Sequence, residues 1–204
     1  MECFEIKKDS SLLRVFHSAP KAPAVDVYVD DILVFSDLKY SEFTKYVYIE
    51  MGNKRVDVYI SGTKENPVIS SMVNVPQEEM RTVAVIGKIE NLELLVINDY
   101  IDKEPSYEYS TVRMINLSPK GLPVDIFIDG DLLFKNINYK EGTQYVDVNQ
   151  GEYKIKIQQH NDEKVLLPLK IRLKSDRIYT IYIIDNKGEL GVIQSVDGNT
   201  YICK

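Results

Sequence analysis

Apolar and polar residues alternate with a period of two along most of the chain. At 25–30, Val25, Val27 and Val29 fall on one side while Asp26, Tyr28 and Asp30 fall on the other. That is how a strand with one buried face is written. The rhythm recurs at 33–35, 46–49, 55–60, 82–86 and 92–97, and again at 124–129, 132–134, 145–148, 154–157, 179–184 and 190–196. β-Branched and aromatic residues fill these runs. Asp30-Asp31 and Asp129-Gly130 mark hairpin turns, Asp-Gly being the stronger signal because both turn positions tolerate positive φ. Gly52 and Gly151 mark the next turns. No long run carries a helical period. Short, evenly spaced strands with polar turns predict an all-β protein made of antiparallel β-sandwiches.

The pattern is written twice. Residues 14–58 align without gaps on 113–157 at an offset of 99. Identical pairs include Arg14/Arg113, Pro20/Pro119, Lys21/Lys120, Asp26/Asp125, Asp30/Asp129, Glu42/Glu141, Thr44/Thr143, Tyr46/Tyr145 and Gly52/Gly151. A one-residue deletion then moves the offset to 98, pairing Thr82 with Thr180 and Leu92 with Leu190. Shared β-propensity explains matched Val and Tyr, but not Pro, Lys, Asp, Glu and Gly held in register. The polar stretch 100–110 lies between the copies, with Pro105 and no sustained period. The expected organisation is a first repeat at 1–99, a linker at 100–110 and a second repeat at 111–204, each repeat the size of an immunoglobulin-like sandwich. Tyr100, Tyr107 and Tyr109 cluster in the linker; the leading expectation is that they pack at the domain junction, the alternative an adhesive aromatic surface.

Composition narrows the function classes. The 204 residues carry 25 Lys plus Arg against 31 Asp plus Glu, a net charge of -6. That balance argues against a nucleic-acid partner, whose phosphates call for a basic patch. Residues 1–102 hold 11 basic and 17 acidic groups while 103–204 hold 14 of each, so the first repeat carries the whole net charge. Divergence of solvated faces explains this; a partner surface on one domain is the sharper reading. Two His and two Cys are too few for a zinc finger or a disulfide framework. No apolar run approaches the roughly 20 residues of a membrane span, so membrane insertion is not expected. The N-terminal residues lack the basic and apolar regions of a secretory signal. Synthesis in the cytoplasm is expected, with later deposition on a spore or cell surface left open.

The segment Arg14-Val15-Phe16-His17-Ser18-Ala19-Pro20-Lys21-Ala22-Pro23-Ala24-Val25-Asp26-Val27-Tyr28-Val29-Asp30 resembles a bacterial family, the domain of unknown function 4397. Its members open on an R-x-x-H-A/S-S-P-D-A-P-x-V-D-V-Y-V-D-G pattern. The resemblance covers nearly the whole chain and implies tandem immunoglobulin-like β-sandwiches, often in exported or envelope proteins. The second copy departs from the pattern, with Asn116 for the His and Leu122-Pro123 for Pro-Ala; Lys21 and Lys120 stand where the family often has Asp. The family brings no established activity, so it assigns no functional residue.

Candidate chemistry is sparse. His17, Ser18 and Asp26 could nominally supply a triad, but no nucleophile elbow surrounds them. His17 is expected to hydrogen-bond loop backbone instead. Asp26 and Asp30 share a strand face, as do Asp125 and Asp129; with Asp31 or Asp131 they could offer oxygens to Ca²⁺. The plainer reading makes Asp30 and Asp129 turn residues, with Asp26 and Asp125 binding nearby N–H groups. A paired-carboxylate glycosidase would need an acid and a base facing across a cleft, which strand neighbours rarely form. No phosphate loop, HExxH or CxxC is present. Cys3 and Cys203, at opposite ends, are expected to be free thiols, with head-to-tail cross-linking between chains the alternative. The expectation is thus a non-enzymatic structural or protein-interaction module, with no catalytic, cofactor or metal site and a protein partner or self-association. A carbohydrate- or small-ligand-binding module, with or without Ca²⁺, is the alternative.

Overall fold

A computed structural model of the chain describes residues 5–162 and 164–202. The described residues divide into two compact units, the first running to Ile101 and taking in Tyr201 and Ile202, the second running from Asp102 to Thr200. Cys3 and Cys203 lie outside the described residues.

The first unit contains β1 (Ser10–His17), β2 (Val25–Val29), β3 (Ile32–Leu38), β4 (Val47–Glu50), β5 (Gly52–Ile60), β6 (Ile69–Val75), β7 (Met80–Lys88) and β8 (Asn91–Asn98). The second repeats them as β9 (Tyr109–Asn116), β10 (Val124–Ile128), β11 (Asp131–Ile137), β12 (Val146–Asn149), β13 (Gly151–Gln159), β14 (Val165–Leu173), β15 (Ile178–Asn186) and β16 (Glu189–Val196). Helix is confined to a single 3-10 turn, Gly198–Tyr201, among the described residues. Each unit has two four-stranded sheets, ordered β4-β1-β7-β8 with β3-β2-β5-β6, and β12-β9-β15-β16 with β11-β10-β13-β14. The all-β expectation holds. The offset of 99 holds strand for strand through β5 and β13, then becomes 98 at β7 and β15. The deletion therefore falls in the loop after β5.

One pair in each unit departs from an antiparallel sandwich: β1 runs parallel to β7, and β9 to β15. The whole second sheet intervenes in sequence between these partners, and such a long crossover lets the chain return in the same direction. All eight residues of β1 are buried, as parallel strands covered on both faces usually are. Leu13 and Val15 face the sandwich core with Val25, Val27, Val58, Val83 and Val85. Arg14 and Phe16 lie on the opposite face, where Phe16 stacks on Phe43 at 4.0 Å between ring centroids. The second core gathers Met114, Ile126, Ile155, Ile157, Ile171, Ile181 and Ile183.

The alternation does not predict β6 or β14. Polar Ser70, Ser71 and Asn74 dilute the first, and Pro168 interrupts the second. Proline is tolerated there because β14 is an edge strand and residue 168 turns its nitrogen away from β13. The boundary between the two units falls inside the stretch 100–110. Tyr109 and Ser110 already belong to β9. Lys103 pairs with Asp147 at 2.5 Å, and the Ser106 carbonyl accepts from Asp176 N–H at 2.6 Å. Tyr107 stands 82% exposed and Tyr100 37%. Tyr109 lies beneath the Lys103 ammonium at 4.9 Å.

Candidate functional site

The polar residues that repeat in sequence form repeated clusters in space. In the first unit, Arg14 Nε donates to Thr82 Oγ1 at 2.8 Å, and Thr82 donates in turn to the Asp99 carboxylate. Tyr46 Oη donates to the same carboxylate at 3.0 Å. The Arg14 guanidinium lies 4.6 Å from the Phe43 ring centre and 4.8 Å from that of Tyr46. The second unit reproduces this with Arg113, Thr180, Asp197 and Tyr145, at 2.8 Å, 2.6 Å and 2.8 Å for the corresponding bonds. Register explains the meeting: Arg14 faces Thr82 across the parallel pair, and Arg113 faces Thr180. Both carboxylates are fully buried. A buried charge needs a partner and hydrogen bonds to be tolerated, and each cluster supplies both. The clusters thus tie each carboxylate to the strands that carry its Arg, Thr and Tyr partners. Asp99 and Asp197 are absent from the sequence-based candidates. The offset of 98 carries one onto the other, and a matched Arg in an apolar strand was the signal for a buried acid.

His17 and Asn116 do one job. Ala19 N–H donates to His17 Nδ1 at 3.4 Å, so Nε2 carries the proton and donates to the Pro23 carbonyl at 3.0 Å. At the equivalent positions, Ser118 N–H donates to Asn116 Oδ1 at 3.1 Å, and Asn116 Nδ2 donates to the Leu122 carbonyl at 3.3 Å. Burial pushes the His17 pKa below its ordinary value, outweighing the Pro23 bond and the Glu42 charge that oppose it. A neutral His and an Asn are thus interchangeable clasps on the loop after the first strand. Ser18 donates to the Val85 carbonyl at 3.2 Å, and no triad with Asp26 is assembled.

Asp26 and Asp125 fasten a bulge. Asp26 accepts from Asp37 N–H at 2.8 Å and Gly62 N–H at 3.0 Å; Asp125 accepts from Asn136 N–H at 2.7 Å. Asp37 and Asn136 have φ of 52° and 56°, at the point where β3 and β11 slip register. Burial alone would raise the Asp26 pKa, but the Asp37 and Gly62 N–H groups hold it below the usual carboxylate range. His160 Nδ1 approaches Asp125 at 2.9 Å. Asp30 and Asp129 sit at turns with φ near 50° and accept from Arg55 and Lys154 N–H at 2.9 Å and 2.8 Å. Asp31 pairs with Arg55. Among the described residues, no three His, Cys, Asp or Glu come together as a metal-sized ligand set.

Two features of the second unit remain open to solvent. A concavity of about 390 Å³ is lined by Asn116, Ser118, Lys120, Leu122, Lys164 and Leu190. The Ser118 hydroxyl is buried there without a hydrogen-bond partner among the described residues. The other feature is the outer face of β10, β13 and β14. In the first unit that face carries Arg55, paired with Asp31 and Asp57, together with Met72 and Asn74. Their counterparts are Lys154, Gly130, Lys156, Lys170 and Arg172. Both acids that neutralise Arg55 are gone, and three more cations are present.

These tandem all-β repeats, joined on a shared pattern of internal polar clasps, define a two-domain β-sandwich protein. The family described as Domain of unknown function (DUF4397) matches residues 11–121 and again 110–201, and the chain belongs to that family. No curated protein matches the chain. No helix among the described residues is long and apolar enough to cross a membrane.

Proposed function

We propose that the chain is a non-enzymatic interaction module that binds through the outer faces of its sheets, in a structural setting such as an envelope or coat. One observation carries this reading. The two repeats keep the same internal polar clasps, yet their outer sheet faces differ in charge and polarity. The first unit's face offers Met72, 63% exposed, beside Ser70 and Asn74, with Tyr28 nearby under the Lys64 ammonium at 4.5 Å. Met and aromatic residues are enriched at protein interfaces, so this face suits a protein partner or another copy of the chain. The test is a photo-crosslinking residue at position 72 of the full chain in cells that make it. One discrete adduct is expected, at twice the chain's own mass if the partner is another copy. No adduct at 72, or at Ile32 and Leu33 on the same unit, would contradict the reading.

A small-ligand reading is favoured by the 390 Å³ concavity and the unpartnered Ser118 hydroxyl. That volume lies within the range of small-molecule sites. If a ligand occupies it, Leu190→Trp should abolish the stabilisation the ligand gives; unchanged stabilisation would remove this reading.

A further inference from the structure

We propose that the outer face of β10, β13 and β14 binds a linear polyanion, a polymer of repeating carboxylate or phosphate charge. Four cations stand on two adjacent strands: Lys154 and Lys156 on β13, Lys170 and Arg172 on β14. Lys154 lies directly opposite Lys170 in the antiparallel register. Like charges placed opposite each other cost stability. Lys154, Lys170 and Arg172 form no ion pair among the described residues; Glu152 is opposite Arg172 in register, without a bond between their side chains. A groove of about 690 Å³ lies over this face, with the Asp129-Gly130 turn and the cations Lys154, Lys156 and Lys170 around a floor that includes the apolar Ile155, Val165, Pro168 and Leu169. The Asp129 carboxylate is already engaged by Lys154 N–H at 2.8 Å. Cations two residues apart on a strand are about 6.7 Å apart, and neighbouring strands about 4.8 Å. Such a grid matches regularly spaced anions on a flexible chain.

The structure also disfavours other occupants. Phe127 is the aromatic residue on this face, and the Lys156 ammonium covers its ring at 3.9 Å, leaving no platform for stacking nucleic-acid bases. A peptide cannot readily extend the sheet at β14. Pro168 has no N–H to offer on the free edge, and the Arg172 carbonyl already accepts from Gln194 Nε2 at 2.9 Å. The face therefore offers cations without an aromatic platform or a free pairing edge.

The proposal rests on the binding-module reading and names the partner class of one unit. The test titrates the full chain at low salt with polygalacturonate and, separately, linear polyphosphate; the two arms distinguish carboxylate from phosphate. At least one should bind, with the logarithm of affinity falling against log salt at a slope of about -2 to -3 for three or four contacts. K154E/K170E/R172E should weaken binding at least tenfold while keeping the parental melting transition. K39E/K45E/K88E makes the same change of net charge on the first unit and should weaken it less than threefold. Binding of neither polymer, equal weakening by the two triple variants, or stronger binding of single-stranded DNA than of either polymer would overturn the proposal. If neither polymer binds while position 72 still gives its adduct, the polyanion fails and the interaction-module reading stands.

Discussion

At the scale of single residues, chemistry that looks functional in a list becomes structural once its partners are known. The exchange of His17 for Asn116 between repeats shows this most clearly. Both side chains accept from the N–H two residues on and donate to the carbonyl six residues on. His17→Asn should therefore leave the neutral-pH melting transition nearly unchanged. The wild-type chain should also carry a pH dependence that the variant lacks. Unfolded His17 titrates near pH 6.5, whereas the folded pKa is lower, so the unfolded state takes up the proton first. Stability should fall as pH drops below about 6.5, by at most about 1.4 kcal/mol per pH unit from this group, and level off below the folded pKa. Parallel melts of both chains between pH 7.5 and pH 5 would check this; identical profiles would count against it. The backbone-binding roles of His17, Asp26 and Asp125 were legible from residue type and turn position. Asp99 and Asp197 were not singled out, because a carboxylate just after a strand looks like an ordinary solvated end until its register partner is known.

At the scale of elements, alternation exposed the strands with one buried face and missed those whose pattern it could not separate from a loop. β6 and β14 are the missed pair, and they differ at their free edges. In the antiparallel register, residues 70, 72 and 74 of β6 turn their backbone groups away from β5, as 168, 170 and 172 of β14 turn theirs from β13. The β14 edge carries Pro168, Lys170 and Arg172, devices that blunt edge pairing; β6 has Ser70, Met72 and Asn74. Replacing P168S/K170M/R172N together should make the chain scatter light sooner on heating, and Met72→Lys should delay it. Light scattering during a thermal ramp reads both, and no change in either direction would show that these edges do not control association. The bulge offers a second prediction. Asp26→Ala leaves the Asp37 and Gly62 N–H groups without their acceptor. Its cost should be about 1–3 kcal/mol in denaturant unfolding; a neutral result would mean that water replaces the carboxylate. The parallel pairing of β1 with β7 was not legible, since periodicity reports which face is buried and not which direction the neighbouring strand runs.

At the scale of the whole molecule, the repeat was the most informative feature of the sequence, because it separates what the scaffold needs from what each copy may vary. Arg14, Tyr46 and Thr82 match Arg113, Tyr145 and Thr180 because each set holds a buried carboxylate. Arg55, Asp57, Met72 and Asn74 do not match Lys154, Lys156, Lys170 and Arg172; they lie on the outer sheet face, where Asp57 bonds only its neighbours Arg55 and Ser70 among the described residues. The net charge of -6 on residues 1–102 was visible in the sequence; the gathering of cations on one sheet face of the second repeat needed the strand register. The partner stayed illegible because sheet-face recognition uses ordinary surface residues with no spacing motif. The central claim is that the interior clusters hold the fold and the outer face is free to bind. Calorimetric unfolding of two variants of the full chain tests it. The face exchange K154R/K156D/K170M/R172N should keep stability within about 1 kcal/mol of the parent, as surface substitutions do. Asp197→Ala, which leaves the Thr180 and Tyr145 hydroxyls without their acceptor inside the fold, should cost about 1–3 kcal/mol. A face exchange that unfolds the second unit, or an Asp197→Ala variant as stable as the parent, would contradict the account.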